Sequence, residues 1–383
     1  MKLKQLESVD NLTISTSTTQ SSIPVDLLID IFSRVPSKSI ARFLCLSKSW
    51  ASIFSRPYFT ELFLTKSSSY PRLLFTTEVY DKLLLFSAPQ TQNLGPKSSV
   101  VARPYQTHSS NLEITSSLHG LICCQVKSGD YTTPVICNPA TGEFLRLPKL
   151  KRDEQMQTPM IYCGYDPTDK KFKMLSISDN FNTSQARVLT LGTGKHLWRK
   201  IKCIPHNPVV SQDHMICIDG VLYYLAYADF EPMEYVIVSF DVKSEKFSFI
   251  NIDNERTRLG STLINYKGKL GLVHFTDYNG KTLRLWLLED GGTNKWSSSI
   301  HELPLPGTHP YTNKYQIVGM TRTCDIVLSP HLFSDPFYVL YYNVERKTLA
   351  RIEIQGLQEL KCYGATIYTF HDYFEDLQLM KCL

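Results

Sequence analysis

The chain has 383 residues, 43% of them apolar and 20% charged, with a formal net charge of +5. With 21 Tyr and 19 Phe it can build a sizeable core, and wholesale disorder is excluded, since that needs few aromatics and high net charge. Dense Lys/Arg stripes and runs of 18 apolar residues are both absent, so neither nucleic acid nor a membrane is expected as a partner.

At roughly 150 residues per domain, the length predicts two to three domains. The first twenty residues carry no apolar leader, so no secretory signal is expected. The ten cysteines form no C-x-x-C pair, and the ten histidines form no H-x-H or H-E-x-x-H. Zinc sites need paired ligands at fixed spacing, so no metal or cofactor is expected. Scattered thiols of this kind predict buried, inert cysteines in a reducing compartment, the cytoplasm or nucleus.

Residues 1–21 are rich in Ser and Thr without apolar periodicity and read as a disordered tail. The character changes at Ser22, which can cap a helix, with Pro24 in its first turn. Leu27, Leu28, Ile31, Phe32 and Val35 then form one apolar face. Pro36 stops this helix, and Ser37 can cap a second, carrying Ile40, Phe43 and Leu44. Trp50, Ile53 and Phe54 lie on a third short turn before Pro57. The unit from 22 to 66 is marginal alone, because small domains bury too little surface. It must pack on the rest of the chain or dock on a partner.

From about residue 70 the pattern is β. LLFTTEV, GLICCQV, FKMLSI, GVLYYLAY, YVIVSFDV, FSFINI, LRLWLL and FYVLYYNV are short and rich in β-branched and aromatic residues, with polar turns between them. Five segments repeat a strand, a polar turn and a second strand led by a large apolar residue. Their anchors, Phe144, Trp198, Phe247, Trp296 and Leu349, are 54, 49, 49 and 53 residues apart. A period near 50 with about four strands each is that of kelch-like propeller blades. Residues 72–383 accommodate six blades, the sixth assembled from PRLLFTTEVYDKLLLFSA and CYGATIYTF at the two ends. Five or seven blades, or a large β-sandwich, are the alternatives, because a period does not by itself close a ring.

Chemistry-bearing motifs are sparse. GTGK at Gly192–Lys195 lacks the first glycine and the hydroxyl residue of a phosphate loop and reads as a hairpin turn. DGGTNKW at Asp290–Trp296 is one isolated Asp-box-like turn. Asp166, Asp219, Asp241 and Asp325 lie near strand ends, where aspartate is an ordinary turn residue, and no spacing pairs two of them. The sequons at Asn11 and Asn182 and the basic run Lys149–Arg152 read as unmodified surface. Residues 152–159, 178–185, 206–213 and 276–281 are candidate rim loops.

Ile23-Pro24, Leu27, Ile31, Phe32, Val35-Pro36, Lys38-Ser39, Ile40, Phe43, Ser47-Lys48, Trp50 and Phe59 resemble the F-box motif in order and spacing. The region containing SSLHGLICC, VICNPATGEFLRLP, YCGYDPTDKKFKMLSI and IVSFDVKSEKFSFI is similar to the plant F-box-associated domain of the third type. Ile23 and Ile40 replace the usual leucines, and the last repeat, from about Gln316, is weaker. The resemblance implies a tail, an F-box at 22–66 and a recognition domain at 72–383. It implies a non-catalytic substrate receptor of a Skp–cullin–F-box ubiquitin ligase, docking on a Skp-type adaptor and through it on cullin while holding a target protein. Candidate adaptor contacts are Ile23, Pro24, Leu27, Leu28, Ile31, Phe32, Pro36 and Ile40, with Val35, Phe43 and Trp50 as helical core. Residues 22–66 carry six basic and three acidic side chains, which suits an acidic adaptor. A propeller-fold glycosidase with a helical appendage, and an adaptor-binding scaffold without ubiquitin transfer, are the rival readings.

Overall fold

The computed structural model describes residues 23–377 except 81, 91–97, 110–111, 153–157, 180–183, 195, 203–214, 228–234, 253–259, 278, 293, 306–314, 359 and 361–365. The expected tail, Ser22, both sequons, Lys195, the loop at 206–213 and parts of the other three candidate loops therefore lie outside the described residues.

Four helices open the described chain: α1 (Val25–Phe32), α2 (Ser37–Leu46), α3 (Lys48–Phe54) and α4 (Pro57–Ser68). Pro24 stands just before α1 rather than in its first turn. Ser37, expected as a cap, is instead the first residue of α2 and is fully buried. The Ser47 hydroxyl accepts the Trp50 N–H at the start of α3. The pattern predicts a third short turn before Pro57, whereas this proline opens α4: its fixed φ and missing N–H suit a first turn. Ile29, Phe32, Ile40, Ile53, Phe54, Phe59 and Phe63 form the core. Phe32 lies at its centre, with ring centroids 5.6 Å from Phe43, 5.2 Å from Trp50 and 5.0 Å from Phe54.

The rest is a six-bladed β-propeller of antiparallel blades. Blade 1 takes its innermost strand, Tyr368–Tyr373, from the C-terminal end of the chain and continues with Arg72–Val79, Lys82–Pro89 and Arg103–Ser109. Blades 2 to 6 begin at Glu113, Met160, Met215, Thr262 and Tyr315. The ring is closed by both ends of the domain, as the sequence predicts. All eight apolar runs are strands, and the five anchors lead the outer strands.

Two strands have no counterpart in the repeat: Leu150–Lys151, which pairs with Tyr131–Asn138 in blade 2, and Ser98–Val101. Ser98–Val101 leaves blade 1 and adds in parallel to the outer edge of blade 6, as its fifth strand. It covers an edge that would otherwise present unpaired backbone groups.

The repeat has a local cause. At the end of the third strand, Asn138, Asp241, Asp290 and Asn343 each accept a backbone N–H from the turn that follows, at 2.9, 2.6, 2.9 and 2.8 Å. Such Asx turns aim the chain into the fourth strand. Between blades, apolar side chains of facing sheets interlock, as where Tyr162, Leu175 and Val188 meet Leu222, Tyr224 and Val238. Blades 3 and 4 also share a charged clasp. The Glu245 carboxylate takes Lys173 at 2.7 Å and also Arg199, and the Lys173 and Glu245 side chains are each only 13% exposed. Burial works against this charge, but the two cations outweigh it and hold the carboxyl below its ordinary range.

The hairpins joining first to second and third to fourth strands define one rim, here the lower. The second-to-third hairpins and the blade-to-blade connections define the upper.

Candidate functional site

The helical unit buries its aromatics and leaves aliphatic side chains uncovered. Ile23 is 54% exposed, Leu27 56%, Ile31 50% and Leu46 71%. Val25 and Leu44 are exposed as well. Lys38, Arg42, Lys48 and Arg56 are exposed on the same helical unit. A cluster of this size on so small a unit marks an interaction surface.

Of the expected adaptor contacts, Ile23, Pro24, Leu27, Ile31 and Pro36 are exposed, and Leu28 is half-buried. Phe32 and Ile40 are corrections: they are 5% and 1% exposed and belong to the helical core. Periodicity marks an apolar stripe but not which part of it the unit's own helices cover. Val35, Phe43 and Trp50 pack half-buried against that core.

The helical unit sits on the lower rim. Lys170, in the first hairpin of blade 3, pairs with Glu61 at 3.0 Å. Arg322, in the first hairpin of blade 6, reaches the Ser68 carbonyl at 3.5 Å. The peptide after the closing strand makes the tightest link. The Glu375 carboxylate accepts the Ser37 N–H at 2.8 Å, and the Glu375 N–H donates to the Ser67 hydroxyl at 2.8 Å. Leu377 packs on the helical core. The Asn138 amide donates to the Asp376 carbonyl at 3.0 Å. Gly120, at φ +76°, lets the Phe374 carbonyl approach where a Cβ would stand 2.7 Å from its oxygen.

A central cavity of about 810 Å³ runs between the inner strands, with His119, Lys267 and Arg322 towards the lower rim and His331 and Tyr368 towards the upper. Desolvation, aided by nearby Arg322, lowers His119 to about 4, so its ring is neutral near pH 7. Asp372 is the one carboxylate among the described lining residues. It accepts the Gln90 side-chain amide and the Arg322 N–H. The four strand-end aspartates do not converge on the cavity. Asp166 accepts the Thr168 N–H at 2.8 Å, Asp241 holds its own turn, and Asp325 takes Asn343 at 2.9 Å. Asp219 occupies a hairpin at φ +46°.

The cysteines conform in part. Cys123, Cys124, Cys137, Cys163 and Cys324 are buried, whereas Cys45 on α2 is exposed. Burial and the nearby Cys123 push the Cys137 thiol up to about 12, which leaves it protonated and unreactive.

Known proteins show the same two parts. Residues 21–62 match the F-box domain and residues 72–374 the F-box associated beta propeller domain. F-box protein At1g53790 of Arabidopsis thaliana is 45% identical over 369 residues, covering 94% of this chain and 82% of that protein. F-box protein DOR, from the same plant, is 42% identical over 373 residues, covering 94% of each. These matches, over both the helical unit and the propeller it sits on, place this chain in the F-box family, with an F-box-associated propeller of the third type.

Proposed function

We propose that the chain is the substrate-recognition subunit of a Skp–cullin–F-box ubiquitin ligase. Its F-box docks on a Skp-type adaptor, and its propeller holds a target protein for ubiquitin transfer. The observation that carries this reading is the exposed set Ile23, Leu27 and Ile31 on a helical unit that carries six basic and three acidic side chains. An amphipathic helix of this kind lays its apolar face into a partner's groove. The basic residues favour an acidic adaptor through charge complementarity.

The subunit itself is read as non-catalytic. Glycosidase chemistry needs two carboxylates across a bond, and the described cavity lining offers Asp372 alone, already engaged by Gln90 and Arg322. The site of action is the cytoplasm, the nucleus or both.

The test is co-purification with a Skp-type adaptor. The wild-type protein binds; Pro24→Ala combined with Leu27→Asp does not, and the propeller of that variant stays folded. A wild-type protein that binds no adaptor overturns the proposal.

A further inference from the structure

We propose that adaptor docking and closure of the propeller ring are coupled. The F-box clamps the strand that closes the ring, so an adaptor that holds the F-box helices in place also holds that strand. The coupling rests on the receptor reading and gives the adaptor an effect on the domain that receives the target.

Tyr368–Tyr373 is the place where the ring opens most readily. The other inner strands continue through a short turn into the second strand of their own blade, as Thr262–Tyr266 does into Lys269–Phe275. Tyr368–Tyr373 instead pairs with Arg72–Val79, from the opposite end of the domain. Closing it means closing a loop of almost the whole propeller, at a cost in entropy that a short hairpin does not carry. Its register also shifts between Arg72 and Leu74, which interrupts the ladder. Terminal segments held in this way are among the first to open in a folded domain.

The F-box pins this strand at two points. Beyond Tyr373, Glu375 joins α2 to α4: its carboxylate accepts the Ser37 N–H and its own N–H donates to the Ser67 hydroxyl, both at 2.8 Å. Leu377 packs on the core that contains Phe32 and Ile40. Within the strand, Asp372 accepts the Arg322 backbone N–H at 3.1 Å, and the Arg322 guanidinium reaches the Ser68 carbonyl at the end of α4. From there the contacts run into the ring. Asp372 is tied to Gln90, which follows the second strand of blade 1, and the Thr369 hydroxyl meets that of Ser329 in blade 6 at 2.8 Å.

The helical unit is too small to be firm alone, and its core includes Leu377 from the far end of the chain. Release of the peptide at 374–377 loosens α2 and α4 and with them the arrangement that presents Ile23, Leu27 and Ile31. An adaptor that binds only the arranged helices favours the seated peptide. By reciprocity the seated peptide raises adaptor affinity by the same factor.

The test is hydrogen exchange of the full-length protein, alone and saturated with a purified Skp-type adaptor. Amides of residues 368–377 exchange about tenfold more slowly with adaptor bound, a usual size for coupling between sites, while Val221–Tyr227 in blade 4 keeps its rate. Glu375→Ala combined with Leu377→Ala binds the adaptor about fivefold more weakly, at the low end of the same range, and its residues 368–373 are no longer slowed. Unchanged exchange in blade 4 shows that this variant is folded. Adaptor that binds and leaves residues 368–373 at the free rate overturns the proposal and leaves the receptor reading standing. Slowing confined to residues 374–377, which direct contact would produce, overturns it as well, as does a double variant that binds the adaptor as tightly as the wild type. A wild-type protein that binds no adaptor overturns both readings.

Discussion

The Glu375 carboxylate accepts the backbone N–H of Ser37 across 338 residues of sequence, at 2.8 Å. The first turn of α2 lacks a local cap, because Pro36 at that place offers no side-chain acceptor. An anion there also meets the positive end of the helix dipole. The propeller thus supplies the cap of an F-box helix.

Removing that cap loosens α2. Glu375→Ala costs the helical unit about 1–2 kcal/mol, the range for a lost N-cap. Glu375→Gln keeps an acceptor and forfeits only the charge, about 0.3–1 kcal/mol. Hydrogen exchange of the amides at Ser37–Ile40 reads both. It accelerates most in Glu375→Ala and stays unchanged in the strands of blade 4.

Neighbouring residues on α1 separate packing from contact. Phe32 is 5% exposed and meets three aromatic rings, so Phe32→Ala costs about 3–5 kcal/mol. Ile31 is 50% exposed. Ile31→Asp leaves stability within about 0.5 kcal/mol and weakens adaptor binding. Chemical denaturation and adaptor titration on the two variants give opposite orders.

Acid weakens the clasp between blades 3 and 4. The Glu245 carboxyl is depressed below its ordinary range once folded, so the unfolded chain takes up the proton first as pH falls. The stabilisation is complete above the ordinary glutamate pKa of about 4.3 and fades as pH drops through the lower folded value. Glu245→Gln removes this part of the acid dependence and costs about 1–2 kcal/mol at neutral pH, as for a hydrogen bond to a charged group. Melting temperature against pH, wild type beside variant, shows the two curves converging at low pH.

Gly120 sets the seat of the C-terminal peptide. Gly120→Ala forces a side chain into a left-handed φ and against the Phe374 carbonyl. The strain amounts to about 1–3 kcal/mol. Limited proteolysis is expected to cut earlier after Phe374 than in the wild type, while the interleaved strands of blade 1 remain protected.

Much of this architecture was legible from local pattern. The turns at Asn138, Asp241, Asp290 and Asn343 place an acceptor before the outer strands of blades 2, 4, 5 and 6, which keeps Phe144, Phe247, Trp296 and Leu349 at matching places in their blades. Blade 1, split between the two ends of the domain, follows from the unpaired strand signals there. Other features leave no local trace. Ser98–Val101 is too short and too polar to announce a strand, and its pairing with blade 6 is decided by proximity in the ring. Helix α4 hid behind Pro57, which ends some helices and begins others. Phe32 and Ile40 fell on the expected docking stripe because a period of 3.6 residues cannot tell an inner from an outer apolar position.

Closure by the last strand has a consequence for the order of synthesis. The F-box leaves the ribosome first, yet the carboxylate that caps α2 and the leucine that completes its core come from residues 375 and 377. The inner strand of blade 1 is likewise among the last segments made. A chain stopped short of these residues carries every residue of its F-box motif and still lacks the cap of α2 and the leucine that packs on its core, so the helical unit is complete only when the propeller is.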